Sequence, residues 1–402
     1  MEKRNPAWQA SLAAGLVALL GAIMLTKSVH DSWDASQSAD LLLVRDWVML
    51  WFRDGRSAYD LSRANYPPHA LVFLAPLAML SAPVLVIAWS VLNALAALPT
   101  AALGWSLAHP RGRPFAPPWP TFLFGIWGGL AVGIKTGQFT LLVLAAGLLC
   151  VRLADRWPVL SGLLMAVSLI KLHVGMAFVL WACFTLRWRV LAVAAGAVAA
   201  ATVAFCFAVE QSLSVVLGGY GRSLWAYSGP SFVPGYLELR PLVHALIGPA
   251  PVAEAAHAAL AGAAFVVLVL AVSRVRKRPA ASRDLEVLAL CAGWTLLVVF
   301  HNAYDTVLLL PAVILLWQGW RDRGPTARQD FRAFVVLQAG LILQVPTIWW
   351  RLNHWYGIDD PALLHATLPH VDRVLMLGAF AYLVVRIRTA DRGSPASTAE
   401  AS

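Results

Sequence analysis

The residues of this chain best suited to chemistry gather at the ends of its apolar runs. Asp40 stands just past the first run. Lys135, Thr136, Gly137 and Gln138 form one tight turn, and Lys171 with His173 forms another. His301, Asn302, Tyr304 and Asp305 form a third, and Arg222 and Arg240 lie in a longer polar stretch. A lysine squeezed between two apolar runs is costly unless it has a partner. Lys171 therefore has two readings: snorkelling to an interface, or serving as a fixed cation for an anion such as a lipid phosphate. Lys135, in a more exposed turn, has the same two. Lys171 and Arg240 are suited to steadying a departing phosphate in a site that excludes water. A carboxylate at Asp40 can take a proton from an attacking hydroxyl. It can equally N-cap the apolar periodic stretch that follows it. His301 and Asp305, four apart across a turn, suit a sugar hydroxyl, the orientation of a base, or a hydrogen-bonded helix end.

Other chemistries are not signalled. There is no Walker sequence, HExxH pair or Gly-rich dinucleotide fingerprint. The four cysteines, Cys150, Cys183, Cys206 and Cys291, lie in apolar runs and read as small buried residues, with no metal or disulfide spacing. No cofactor and no metal site is expected, and acidic residues without ligand spacing leave a divalent-ion requirement open.

The elements that must hold these groups are membrane helices. Of 402 residues, 59% are hydrophobic and 13% charged, about half the ~25% of a soluble domain. Mean hydropathy is +0.68. Such a chain needs lipid as its solvent. This excludes a large soluble catalytic domain, and the continuous apolar runs exclude an alternating outer-membrane barrel. The net charge of +10 comes in small clusters between apolar runs, which fits the positive-inside rule better than nucleic-acid binding.

The pattern predicts an all-α polytopic protein of about twelve spans, near 8–26, 82–107, 119–134, 138–152, 157–171, 172–186, 189–209, 251–273, 284–301, 304–320, 331–350 and 370–387. Several are short, which predicts tilted or broken helices. Residues 69–80 are apolar but short and interrupted by Pro76, so they read as re-entrant or juxtamembrane. With that segment not crossing, both termini are cytoplasmic. The basic clusters from Arg111/Arg113 to Arg386/Arg388/Arg392 then fall on the cytoplasmic side. The first span lacks a nearby small-residue cleavage site and is expected to be retained. Outer loops are expected at 27–68, 210–250 and 351–369, within one membrane domain, 1–392, followed by a disordered tail, 393–402. Within the first loop, residues 40–54 place Leu43, Val44, Trp47, Val48 and Trp51 at helical spacing, with Arg45, Asp46, Arg53 and Asp54 as polar faces. This predicts an amphipathic helix in the membrane interface.

From about residue 38 to 320 the chain resembles glycosyltransferase family 87, which includes bacterial polyprenol-phosphate-mannose-dependent α-mannosyltransferases. Asp40-Leu41, Gly55 and Ala58-Tyr59-Asp60 resemble the family's Asp-Phe, Gly and Leu-Tyr-Asp pattern. Tyr66-Pro67-Pro68 with Pro76-Leu77-Ala78 is similar to its Tyr-Pro-Pro…Pro-Leu-Ala segment. Gly137-Gln138 resembles its Gly-Gln pair, Gly162 with Ile170-Lys171 its Gly…Ile-Lys-Pro motif, and His301…Tyr304-Asp305 its His-x-x-Tyr-Asp turn. Leu41 replaces the usual Phe, Leu172-His173 stands where Lys-Pro usually occurs, and Asn302 and Ala303 fill variable positions. None of these departures removes a proposed reactive group.

The resemblance implies a GT-C-type bundle in the bacterial inner membrane, with an extracytoplasmic active site. It implies transfer of a hexosyl group, mannosyl by expectation, from a polyprenyl-phosphate donor to a glycolipid or glycan acceptor with inversion. Asp40 would be the general base, with Asp34 and Asp46 as fallbacks. Lys171, Arg240 and Lys135 would meet the donor phosphate. His301, Tyr304, Asp305, Tyr66, Gln138, His173 and Asp46 would line the sugar or acceptor pocket. A transporter or flippase for lipid-linked sugars is the alternative. It needs ionisable groups near mid-span, whereas Asn93 is among the few polar residues well inside a predicted span.

Overall fold

The structure, a computed structural model, describes residues 7–34, 37–61, 64–108, 123–227, 238–248, 251–276, 278, 280–299, 301–322, 326–343 and 371–392. The expected third outer loop, 351–369, and the tail, 393–402, lie outside the described residues. So do Arg111, Arg113, Lys277, Arg323, the ends 119–122 and 344–350 of two expected spans, and residues 228–237 of the second loop.

Among the described residues the chain is helical and contains no strand. It opens with α1 (Ala7–Ser32), α2 (Ala39–Asp54), α3 (Pro68–Phe73), α4 (Ala75–Ala78) and α5 (Ala82–Ala108). Then come α6 (Gly128–Lys135), α7 (Thr140–Leu153), α8 (Pro158–Ser168), α9 (Leu172–Phe184), α10 (Trp188–Ala208) and α11 (Leu213–Tyr227). The remainder are α12 (Arg240–Ile247), α13 (Pro251–Val275), α14 (Ala280–Val298), α15 (Leu310–Arg321), α16 (Ala327–Leu343) and α17 (Val371–Arg392). A 3-10 turn, Ala303–Leu309, leads into α15.

Among the described residues five helical runs are long and apolar enough to cross a membrane: Ser11–Ser32, Ala82–Ala108, Trp188–Ala208, Pro251–Val275 and Ala303–Arg321. A sixth exists if α6 and α7, bent by 117° at their junction, form one broken span. These helices are consistent with a multi-pass membrane protein. The difference from twelve lies partly in length. α8 and α9 have 11 and 13 residues, so at ~1.5 Å per residue each falls short of a ~30 Å hydrocarbon layer. Residues 69–80 fold as the short α3 and α4 and cannot cross unaided. The first helix runs to Ser32, past the expected loop start at 27. Lys27 and Asp31, four apart on that helix, pair at 2.7 Å and support its last turn.

The chain divides into two compact units. The first draws its described residues from Met1–Ser106, Arg111–Ser231 and Ala303–Val307. The second draws them from Leu107–Pro110, Phe232–Asn302 and Leu308–Ser402. In the first unit small residues let helices close where lipid supplies no hydrophobic drive. A Cβ on Gly162 would stand 2.5 Å from Val193 Cβ and 2.8 Å from the Val190 carbonyl, so α8 meets α10 there. A Cβ on Gly147 of α7 would overlap the ring of Phe178 on α9. In the second unit Asp330 of α16 is fully buried. Its carboxylate accepts hydrogen bonds from Arg386 at 2.9 Å, Tyr382 at 2.7 Å and Thr326 at 3.0 Å. Gly319 of α15 makes room for that carboxylate.

Candidate active site

The site of the first unit starts from one glycine. Between α6 and α7 the chain reverses through Gly137, whose φ of +73° is left-handed and suits a residue without Cβ. The turn is closed by the Gly137 N–H donating to the Ile134 carbonyl at 3.1 Å and the Gln138 N–H donating to the Gly133 carbonyl at 2.8 Å. The indole of Trp89 on α5 donates to the Gly137 carbonyl at 3.1 Å. A Cβ on Gly137 would lie 2.5 Å from the Cβ of Leu41. The first turn of α2 therefore rests directly on this reversal, which brings Asp40 beside Gln138. Ser38, not Asp40, is the N-cap position of α2. The capping reading of Asp40 is thereby corrected: its carboxylate stands in the first helical turn, where the helix dipole favours negative charge.

A continuous polar chain runs inward from Asp40. The side-chain amide of Gln138 donates from Nε2 to Oδ2 of Asp40 in a short contact. Its Oε1 accepts from Lys171 Nζ at 2.9 Å. The same ammonium donates to Thr140 Oγ1 at 2.8 Å and to Asp305 Oδ1 at 3.1 Å. Thr140 in turn donates to Asp305 Oδ1 at 2.7 Å. Lys171 Nζ sits 4.4 Å from the ring centroid of Tyr304, a cation–π contact. His173 Nε2 lies 3.4 Å from the other Asp305 oxygen. Lys171 and Asp305 are both buried. Burial of such a charge is tolerable only with a close counter-charge and saturated hydrogen bonds, and this pair has both.

Local backbone explains the convergence. Lys171 is the N-cap position of α9, with extended backbone and no side-chain cap bond, so its side chain is committed elsewhere. Asp305 lies in the 3-10 turn before α15. Gln138 and Thr140 sit on either side of the start of α7. Asp40 keeps an exposed edge. Burial of its surroundings still raises the carboxyl above the usual carboxylate range, against the opposing pull of the Lys171 charge and the Gln138 hydrogen bond.

Of the residues marked by sequence, the first unit brings Asp40, Gln138, Lys171, His173, Tyr304 and Asp305 into this one network. Tyr66 stands behind it, buried, with its ring 5.8 Å from Phe139. Lys135 is half-buried at the end of α6 and faces the charge of Asp31. Asp46 is exposed and 3.6 Å from Arg45, outside the network. Arg240 and His301 belong to the second unit. There Arg240 donates to Glu254 at 3.0 and 2.8 Å, and His301 Nδ1 lies 2.7 Å from the Val299 carbonyl. Sequence reading missed Thr140 as a member and Trp89 as a support. Thr140 resembles any polar residue opening a helix, and only its distance from Asp305 identifies it. Asn93, Gly133, Gln138, Thr140 and Tyr304 border a cavity of about 10 Å³, the scale of one water. Among the described residues no group of three His, Cys, Asp or Glu side chains is placed to hold a metal ion.

An exposed carboxylate wired to a buried cation is suited to general-base chemistry on a hydroxyl, with negative charge stabilised nearby. In comparisons with known proteins, the family model described as Glycosyltransferase family 87 matches residues 64–300. No curated protein and no solved structure matches the chain.

Proposed function

This chain belongs to glycosyltransferase family 87, and on that basis we propose that it transfers a hexosyl group, mannosyl first, from a polyprenyl-phosphate donor to a glycolipid or glycan acceptor. The reading sets the chain in a bacterial inner membrane as a GT-C-type bundle of about twelve transmembrane helices. Both termini are cytoplasmic, α2 lies in the outer interface and the site faces outward.

In the proposed step Asp40 takes the proton of the acceptor hydroxyl as that oxygen attacks the anomeric carbon. The carbon–oxygen bond to the polyprenyl phosphate breaks on the opposite face. The bonding pair leaves with the phosphate, and the anomeric centre inverts. One base suffices, because a phosphate is already a competent leaving group and no second carboxylate has to protonate it. Lys171 and Lys135, both of the first unit, are the cations proposed for the donor phosphate. All three N–H donors of Lys171 are engaged within the protein, so its contribution is positive potential more than direct contact.

The observation that carries the reading is the linkage of Asp40 to Lys171 through Gln138 within the first unit. Its test uses purified protein in lipid vesicles with labelled polyprenyl-phosphate mannose and a glycolipid acceptor extract. Transfer of label to acceptor is expected. Asp40→Asn should lower the rate by ~10²–10⁴-fold, the range of a lost general base, with unchanged expression and elution volume. Label that crosses the vesicle membrane without bond cleavage would instead identify a flippase.

A further inference from the structure

We propose that Gln138 is a positioning residue for Asp40: its side-chain amide engages one carboxylate oxygen, aims the other at the acceptor hydroxyl, and couples the base to the Lys171–Asp305 pair. The inference rests on the reading of Asp40 as the base and gives Gln138 a role other than lining a sugar pocket.

The argument is one of donor and acceptor types. An ammonium has only donors and an ionised carboxylate only acceptors, whereas a primary amide has one end of each kind. Lys171 must therefore meet Oε1 of Gln138, which leaves Nε2 for Asp40, as found. The amide has one orientation that satisfies both neighbours, and turning it over would set donor against donor and acceptor against acceptor. Both ends of the bridge are anchored. Lys171 is held at three points, by Gln138, Thr140 and Asp305. The backbone of Gln138 is held by the Gly137 reversal and the Trp89 indole. Gln138 is itself only 4% exposed, so its amide has little solvent to compete for these bonds. Among the described residues no hydrogen bond reaches Oδ1 of Asp40, and that oxygen is the one left to accept a proton.

The discriminating variant is Gln138→Glu. It keeps the side-chain shape and an acceptor for Lys171 but replaces the donor facing Asp40 with a carboxylate. Two carboxylates sharing one contact do not both ionise readily, so the base holds its proton to higher pH. In the vesicle assay the acid limb of kcat/KM should move upward. On the acid limb the loss should be at least about ten-fold and should shrink as pH rises beyond that limb, because one pH unit of displacement is ten-fold there. A role confined to packing would lower the yield of folded protein and leave the shape of the pH profile alone. Gln138→Met, which removes both polar contacts at similar volume, should lower kcat about ten-fold or more with donor KM held. It supplies the reading if the glutamate variant does not fold.

The outcomes separate the two layers of inference. Wild-type transfer by Asp40→Asn removes the base reading and this proposal with it. An inactive Asp40→Asn beside a Gln138→Glu profile that overlays wild type, or a Gln138→Met with unchanged kcat, overturns this proposal alone.

Discussion

Asp40 can accept a proton only while ionised, so its surroundings set the acidity at which the site works. Burial holds its carboxyl above the usual carboxylate range, while Lys171 and Gln138 oppose that rise without cancelling it. Activity should therefore fall as pH drops through a value higher than that of a free aspartate. The base is charged and competent above that value, protonated and idle below it. A kcat/KM profile from pH 4 to 8 measures it, and a limb at or below the free-aspartate value would contradict it. Sequence marked Asp40, Gln138, Lys171 and Asp305 because each interrupts or borders an apolar run. The resemblance set them in one site, but the contacts that join them were not legible, since these span 98 residues from Asp40 to Gln138 and 134 from Lys171 to Asp305. No local period links such distant positions. Asp46 and Lys135 carried similar local signals, yet one is exposed and the other faces Asp31.

At the scale of elements, the reversal between α6 and α7 sets the alignment of the site. Gly137→Ala meets two obstacles. A left-handed backbone costs an L-residue about 1–2 kcal/mol, and the added Cβ would lie 2.5 Å from Leu41 Cβ. The variant should lose about 1–3 kcal/mol of stability in a detergent denaturation series and most of its transfer activity. Leu41→Ala should not rescue it, because alanine keeps the offending Cβ. Recovery in the double variant would show that the clash lies elsewhere. The helix 39–54 was legible from its spacing, but of the five apolar residues read there only Val44, Trp47 and Val48 are buried; Leu41 joins them and Leu43 is exposed. The division of 157–186 into α8 and α9 was legible through Lys171. Their lengths were less so, because apolar composition continues to the last residue before a turn and does not record where the helix stops.

Across the whole molecule, composition alone made the membrane class legible, as 59% hydrophobic residues leave few alternatives. The number of crossings was not, because hydropathy measures how apolar a segment is and not whether it bends, as α6 and α7 do by 117°. Nor did sequence reveal the buried carboxylate of the second unit, whose partners sit 52 and 56 residues away on α17. Arg386→Met leaves Asp330 buried without its cation. It should cost about 3–5 kcal/mol, read as a lower midpoint in thermal unfolding in detergent. A midpoint within error of wild type would show that Tyr382 and Thr326 are sufficient partners.

The order in which the chain is made gives the Lys171–Asp305 pair a consequence for biogenesis. The ribosome delivers the lysine first and its counter-ion only 134 residues later. During that interval the lysine has the neutral acceptors Gln138 and Thr140 but not its ion-pair partner, a state that membranes disfavour. A chain halted before residue 305 therefore lacks the ion pair that makes this buried lysine tolerable.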